Sequence, residues 1–356
     1  MIKYTHGGDI YKYDDKLLDF SANINPLGMP ESAKNAIIDG INKYQTYPDH
    51  SSRKLRNSLS EFYGFDSNKI VCGNGAADLI FRICLALRPQ KVLVTSPTFS
   101  EYEEAVLISG GKVHNHLLSE SENYDVTLEI LKSIDEDTDM VFLCSPNNPT
   151  GRAIDLNIIE AVLDKLQGNK GILVLDQCFV HFMVEEEKYF AINLLKKYDN
   201  LIILGAFTKI FAMAGLRLGY ALFGSEDNAS MIENTLQPWA VSTVASEAGC
   251  AVLNKDFIKE TKDYVKYQRE FLFQHLSDLG IKVFKSQANY MLIKVDERFD
   301  DGDLADVAIK HRILIRKCSN FKGLSPSFFR IAVRTEAENT TLIDVLSHIF
   351  CETINR

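Results

Sequence analysis

A lysine becomes a nucleophile when its amine sheds its charge, and burial among apolar side chains favours this by penalising the ammonium form. Lys209 stands in such a setting. It follows the apolar run 201–205 and is flanked by Phe207, Ile210 and Phe211 within the segment AFTKIFAMAGLRLGY. The chemistry open to it there is Schiff-base formation with a carbonyl. Taken alone, a solvated loop lysine is the competing reading. Asp176 closes another apolar run, 171–176, where an ionised carboxylate needs a cationic partner or a capping role. Gly73-Asn74-Gly75-Ala76-Ala77-Asp78 runs straight into a helix whose apolar stripe begins at Leu79. Small residues at a helix start leave backbone N–H groups facing open space, with the positive end of the helix dipole behind them, which suits a phosphate. A tight turn explains the same glycines, and neither the P-loop nor the dinucleotide fingerprint is matched.

These residues can act together only if the fold gathers them. From about residue 50 to 235, short apolar β-rich runs alternate with helical periodicity, the mark of a mostly parallel sheet covered by helices on both faces. Strands are predicted at 91–96, 140–145, 171–176, 201–205 and 218–223. Leu55, Leu59 and Phe62 share one helix face, as do Leu79, Ile83 and Leu87 on another helix. Ligands of open parallel sheets bind beyond the carboxyl ends of strands, and Asp176 and Lys209 stand at such ends. The C-terminal part reads as α+β, with a helix over 254–279, strands at 288–295, 312–316 and 328–333, and a closing helix. Thr335 and Glu338 precede that helix at capping-box spacing. The first forty-odd residues have no core of their own and are expected to join this unit. The expectation is an α/β chain with a large domain over residues 46–240 and a small α+β domain built from 1–45 and 241–356.

The 356 residues are 46% hydrophobic and 24% charged, with a formal net charge of −9. That composition suits a globular enzyme-sized core, and the acidic balance repels nucleic acid and anionic membranes. The greasiest stretch, 201–223, is interrupted by Lys209 and Arg217, and residues 1–15 have no apolar signal core. The seven cysteines, Cys72, Cys84, Cys144, Cys178, Cys250, Cys318 and Cys351, are scattered without a C-x-x-C pair. A cytoplasmic protein with reduced thiols is expected. His114 and His116 form an H-x-H with no third ligand in view, so no metal site is expected.

In order along the chain stand the Gly-rich helix start, Pro97-Thr98-Phe99, Ser145-Pro146-Asn147-Asn148-Pro149-Thr150-Gly151, Asp176, Lys209, Arg217 and Arg330. This set resembles the fold-type I pyridoxal-phosphate enzymes of the aminotransferase class, over the whole chain. The resemblance implies a large domain with a mostly parallel sheet and a small α+β domain. It implies that Lys209 binds the cofactor covalently and that Asp176 partners the pyridine nitrogen. It assigns Asn148 to the phenolic oxygen, Phe99 to stacking on the ring, and Ala76, Ala77, Thr208 and Arg217 to the phosphate. Tyr47, in QTYPD, resembles the tyrosine that reaches a neighbouring subunit's cofactor phosphate, which implies a homodimer. Three positions depart from the common pattern: Gln177 replaces an acidic residue, Phe179 a tyrosine, and Ala206 a small hydroxyl residue.

Narrower segments, His6-Gly7-Gly8-Asp9, residues 18–30 (LDFSANINPLGMP), 236–241 (LQPWAV) and 313–334 (ILIRKCSNFKGLSPSFFRIAVR), resemble the L-threonine-O-3-phosphate decarboxylases of cobalamin biosynthesis. That family is close to the histidinol-phosphate aminotransferases. The resemblance implies a carbon–carbon lyase that turns L-threonine O-3-phosphate into (R)-1-amino-2-propanol phosphate. It places His6, Asn23, Arg316, Arg330 and Arg334 at the substrate. Strand alternation is expected to turn Arg330 and Arg334 to one face, with Arg334 nearer the phosphate. The stretch between His6 and residue 18 is shorter than that family's. A histidinol-phosphate-type aminotransferase is the alternative reaction, and a non-catalytic binding relative is the alternative class.

Overall fold

The fold is that of a computed structural model, which describes residues 6–13, 17–299 and 301–354. Its strands are β1 (Leu18–Asp19), β2 (Ile70–Gly73), β3 (Lys91–Ser96), β4 (Lys112–Leu117), β5 (Met140–Cys144), β6 (Ile172–Asp176), β7 (Leu201–Ala206), β8 (Gly219–Phe223), β9 (Lys282–Val283), β10 (Tyr290–Lys294), β11 (Ile313–Leu314), β12 (Arg316–Lys317) and β13 (Phe328–Ala332). The first four helices are α1 (Glu31–Asp39), α2 (Arg53–Tyr63), α3 (Ala76–Leu87) and α4 (Glu101–Ile108), of which α3 and α4 border the site.

Seven strands form one sheet in the order β2-β8-β7-β6-β5-β3-β4. Its central strands are apolar on both faces because alternate side chains enter two separate cores. Leu143, Leu173, Leu175 and Ile203 pack on one side. Val94, Phe142, Val174, Ile202 and Leu204 pack on the other, under Leu79, Ile80 and Ile83 of α3. All pairings are parallel except those of β8, which runs against β7 and β2. The return from β7 to β8 is short, and Lys209 sits in it. Cys144 is in register with Asp176, and Asp176 with Leu204, so three strand ends meet beside that return. The edge strands β2 and β4 lie outside the five predicted strands, being short in one case and largely polar in the other. On β4, His116 Nδ1 meets Ser133 Oγ at 2.9 Å, and among the described residues no cluster suited to a metal occurs.

A second sheet, β12-β13-β10-β9, is antiparallel. The predicted strand 312–316 is split, since Ile313 and Leu314 pair with Leu18 and Asp19 whereas Arg316 pairs with Arg330. The N-terminal segment thereby joins this part of the molecule, and Phe20 O accepts from Ala332 N at 2.9 Å. The expected capping box forms: Thr335 N donates to Glu338 Oε2 at 3.1 Å and Glu338 N to Thr335 Oγ1 at 3.4 Å. The shared strand face expected of Arg330 and Arg334 does not form, because β13 ends at Ala332. Arg334 lies in the turn beyond it and pairs with Glu338 Oε1 at 2.9 Å. No described helix is long and apolar enough to cross a membrane.

A partly buried polar chain ties the long helix Lys255–Asp278 to the sheet. Lys262 pairs with Glu186 Oε2, and Glu186 Oε1 meets His181 Nδ1 at 2.9 Å. His181 Nε2 reaches Tyr63 Oη at 2.8 Å, and that hydroxyl meets the hydroxyl of Tyr220. Burial pushes the Glu186 carboxyl up, but the hydrogen bonds and charges of His181 and Lys262 outweigh it and bring it to about 2. A carboxyl lowered on folding adds stability above its unfolded value of 4.5 and loses it as pH falls through the folded value. Glu186→Gln is therefore expected to lower stability at pH 7 by about 3 kcal/mol. It should also flatten the loss of stability between pH 4.5 and 2, read by urea unfolding at a series of pH values. An unchanged pH dependence would remove Glu186 from this role.

Candidate active site

Lys209 lies in the single helical turn Phe207–Ile210 that follows β7. The turn is pinned from below, since Asn25 N donates to Lys209 O at 3.1 Å and Asn25 Nδ2 to Thr261 Oγ1 at 2.9 Å. Burial, reinforced by the nearby positive charges of Arg330 and Arg217, lowers the Lys209 amine to about 8. The neutral, nucleophilic form is thus far more accessible at neutral pH than in an ordinary lysine.

Asp176 is only 6% exposed. Both of its oxygens are held by neutral donors: Cys178 N donates to Oδ1 at 3.0 Å and Tyr102 Oη to Oδ2 at 2.7 Å. Lys209 and Asp176 open onto one cavity of about 400 Å³, which Ala76, Ala77, Phe99, Asn148, Thr208 and Arg217 also line. At its far end α3 begins. Gly75 adopts φ +91°, and a Cβ there would stand 2.8 Å from Arg217 Nη2. A Cβ on Gly219 would lie 2.3 Å from Ala76 N. These two glycines let Arg217 and β8 close on the helix start, whose first N–H groups have no intrahelical partner by geometry.

The opposite wall is cationic. Arg316 and Arg330 are direct cross-strand partners, both largely buried, and both line the cavity. Arg330 donates to Asn148 Oδ1 and Ser21 O and lies over the Tyr290 ring. Arg316 Nη2 donates to Asn320 Oδ1 at 2.9 Å. Like charges placed opposite each other on paired strands repel, and an anion held in the cavity would relieve that repulsion. Asn23, 2% exposed, also lines it, and its Oδ1 has no partner among the described residues. His6 closes the mouth, with Nε2 3.1 Å from Glu101 Oε1.

The profile of the family described as aminotransferase class I and II matches residues 15–346. The chain belongs to that family. It is 33% identical to the threonine-phosphate decarboxylase of Salmonella typhimurium, covering 97% of this chain and 96% of that protein. Among solved structures, the histidinol-phosphate aminotransferase of Clostridium acetobutylicum superposes with a TM-score of 0.88 at 33% identity, covering 94% and 100% of the two chains. The L-threonine-O-3-phosphate decarboxylase of Porphyromonas gingivalis superposes with a TM-score of 0.82 at 26% identity, covering 93% and 98%.

As a member of this family the chain is a pyridoxal-phosphate-dependent enzyme, and its cavity fits the cofactor. The fit rests on its donor set: an amine of lowered basicity, a buried carboxylate about whose oxygens only neutral groups are arranged, and a helix start with an arginine for phosphate. The family's departures have local reasons. Gln177 turns away from the cavity, donating to Tyr189 O at 2.8 Å and accepting from Ala191 N at 3.0 Å. The amide supplies both the donor and the acceptor used there, which an ionised carboxylate at this position could not. Phe179 packs edge-on against Tyr290 at 5.0 Å, and the Lys209 amine lies 6.0 Å from its ring centre. Ala206 lines the cavity without a hydroxyl. Tyr47 stays outside it, 77% exposed and stacked on Trp239 at 4.3 Å, and Arg334 is likewise absent from its walls. The sequence reading missed Tyr102 and Glu101, which follow Phe99 within one helical turn. Glu101 was legible only through a partner distant in sequence. A broader open cleft near Asp125, Arg152 and Asp155 contains no comparable set of groups.

Proposed function

We propose that this enzyme decarboxylates L-threonine O-3-phosphate, or a closely similar phosphorylated amino acid, to (R)-1-amino-2-propanol phosphate. The observation that carries the reading is the facing pair Arg316 and Arg330 inside the Lys209 cavity, a setting for a substrate with more than one anionic group. The likeness to the Salmonella decarboxylase over nearly all of both chains supports it. When bound, pyridoxal phosphate supplies the electron sink for the electrons of a broken Cα bond. In this reading Lys209 holds the cofactor's carbonyl carbon and Asp176 holds the proton on its ring nitrogen. Asn148 donates to its phenolic oxygen and Phe99 covers its ring. The N–H groups of Ala76 and Ala77, with Thr208 and Arg217, hold its phosphate.

Arg316, Arg330, Asn23 and His6 bind the substrate's anionic groups and would fix how its carboxylate is turned. The orientation imposed by these residues would select Cα–COO⁻ as the bond to break. Lys209 then returns a proton to Cα. Tyr47 extends to the cofactor phosphate of a second subunit in a homodimer. Transamination of a histidinol-phosphate-type substrate is the second reading, favoured by the Clostridium structure at equal identity. Purified protein with O-phosphothreonine separates them. Release of CO2 without consumption of 2-oxoglutarate is expected, whereas keto-acid turnover without CO2 would assign the enzyme to transamination.

A further inference from the structure

Tyr102 is fully buried, and its hydroxyl donates to Asp176 Oδ2 at 2.7 Å. Its ring is fixed on two sides, stacked on Phe142 at 5.0 Å and set edge-on to Phe99 at 5.7 Å. Phe99 immediately precedes Ser100, the N-cap of α4, and Tyr102 is the second residue of that helix. The entry into this helix thus brings Phe99 to the cavity and, three residues on, a hydroxyl to the carboxylate. Among the described residues no Lys, Arg or His lies within ion-pair distance of it. Its remaining close neighbours are Cys178 N and the thiols of Cys144 and Cys178, which burial keeps in their neutral form. Burial likewise keeps the Tyr102 phenol protonated, with the Asp176 charge adding to the effect, so this hydroxyl is a donor throughout the working pH range.

We propose that Tyr102 is a positioning residue that keeps the shared proton on the cofactor's ring nitrogen rather than on Asp176. The inference rests on the assignment of Asp176 as partner of that nitrogen. A carboxylate and a pyridine nitrogen can share one proton in two ways, and a donor on the carboxylate favours the ionised form. Tyr102 thus lowers the tendency of Asp176 to take the proton back and leaves the ring cationic. Cys178 N fixes the other oxygen, so one face of the carboxylate remains for the cofactor.

Tyr102→Phe removes the hydroxyl and keeps both ring contacts. The holoenzyme is reconstituted with cofactor labelled with 15N in the ring, and its nitrogen resonance is recorded for wild type and variant at one pH. Wild type is expected to show the protonated position, and the variant to move toward the neutral pyridine position. Turnover should fall about ten- to a hundredfold, the size of one charge-assisted hydrogen bond, with KM changed less than about twofold. A fall in melting temperature with an unmoved resonance would overturn the proposal, as would lost turnover with an unmoved resonance. A neutral nitrogen already in wild type would instead overturn the assignment of Asp176, and the proposal with it.

Discussion

Lys209→Ala is expected to abolish covalent attachment of pyridoxal phosphate and to lower turnover by at least about a thousandfold, since nucleophile and proton donor are lost together. The fold should survive, because Lys209 lines the cavity and its amine has no hydrogen-bond partner among the described residues. Attachment itself should depend on pH in a way the structure sets. Burial, Arg330 and Arg217 bring the amine to about 8, and only the neutral amine attacks an aldehyde. Capture of added cofactor by the apoenzyme should therefore accelerate through pH 8 and level off above it. Stopped-flow absorbance across that range measures the profile. A rate flat in pH, or a borohydride-reducible adduct retained at full occupancy by Lys209→Ala, would move the attachment to another residue.

The strength of that expectation comes from how the sequence encodes the site. The runs 91–96, 140–145, 171–176, 201–205 and 218–223 read clearly as strands because central strands of this sheet are apolar on both faces, and the structure places strands at each of them. Lys209 and Asp176 were legible because each ends such a run. β2 was hidden by its shortness, and β4 by its polar residues at the sheet edge. Tyr102 was hidden for a different reason. Its partner Asp176 lies far along the chain, and an aromatic residue on a helix reads as core until a buried acceptor is seen against it. Arg334 misled in the opposite direction. Spacing of four along an assumed strand gave it the face of Arg330, but the backbone turns after Ala332 so that Thr335 and Glu338 can cap the last helix. Alternation holds only as far as the strand continues. No local pattern marks where pairing stops.

Arg330→Lys carries the second large expected effect. The guanidinium is buried, and burial lowers it to about 10, so it remains charged at neutral pH. It spans Asn148 Oδ1 and Ser21 O and leaves Nε without a partner among the described residues. A lysine keeps the charge but lacks the planar fork, so it cannot hold Asn148 and Ser21 and also meet a substrate oxygen with a parallel pair of donors. Two charge-assisted hydrogen bonds at roughly 1.5–3 kcal/mol each predict a loss in kcat/KM of about a hundredfold or more. Comparing O-phosphothreonine with threonine then locates the contact. A parallel fall for both substrates would place Arg330 on the carboxylate, leaving Arg316 as the phosphate contact. A fall confined to O-phosphothreonine would reverse those places. If neither substrate is affected while Arg316→Lys is equally silent, the facing arginines do not bind substrate. The proposed decarboxylase would then lose the observation on which it stands.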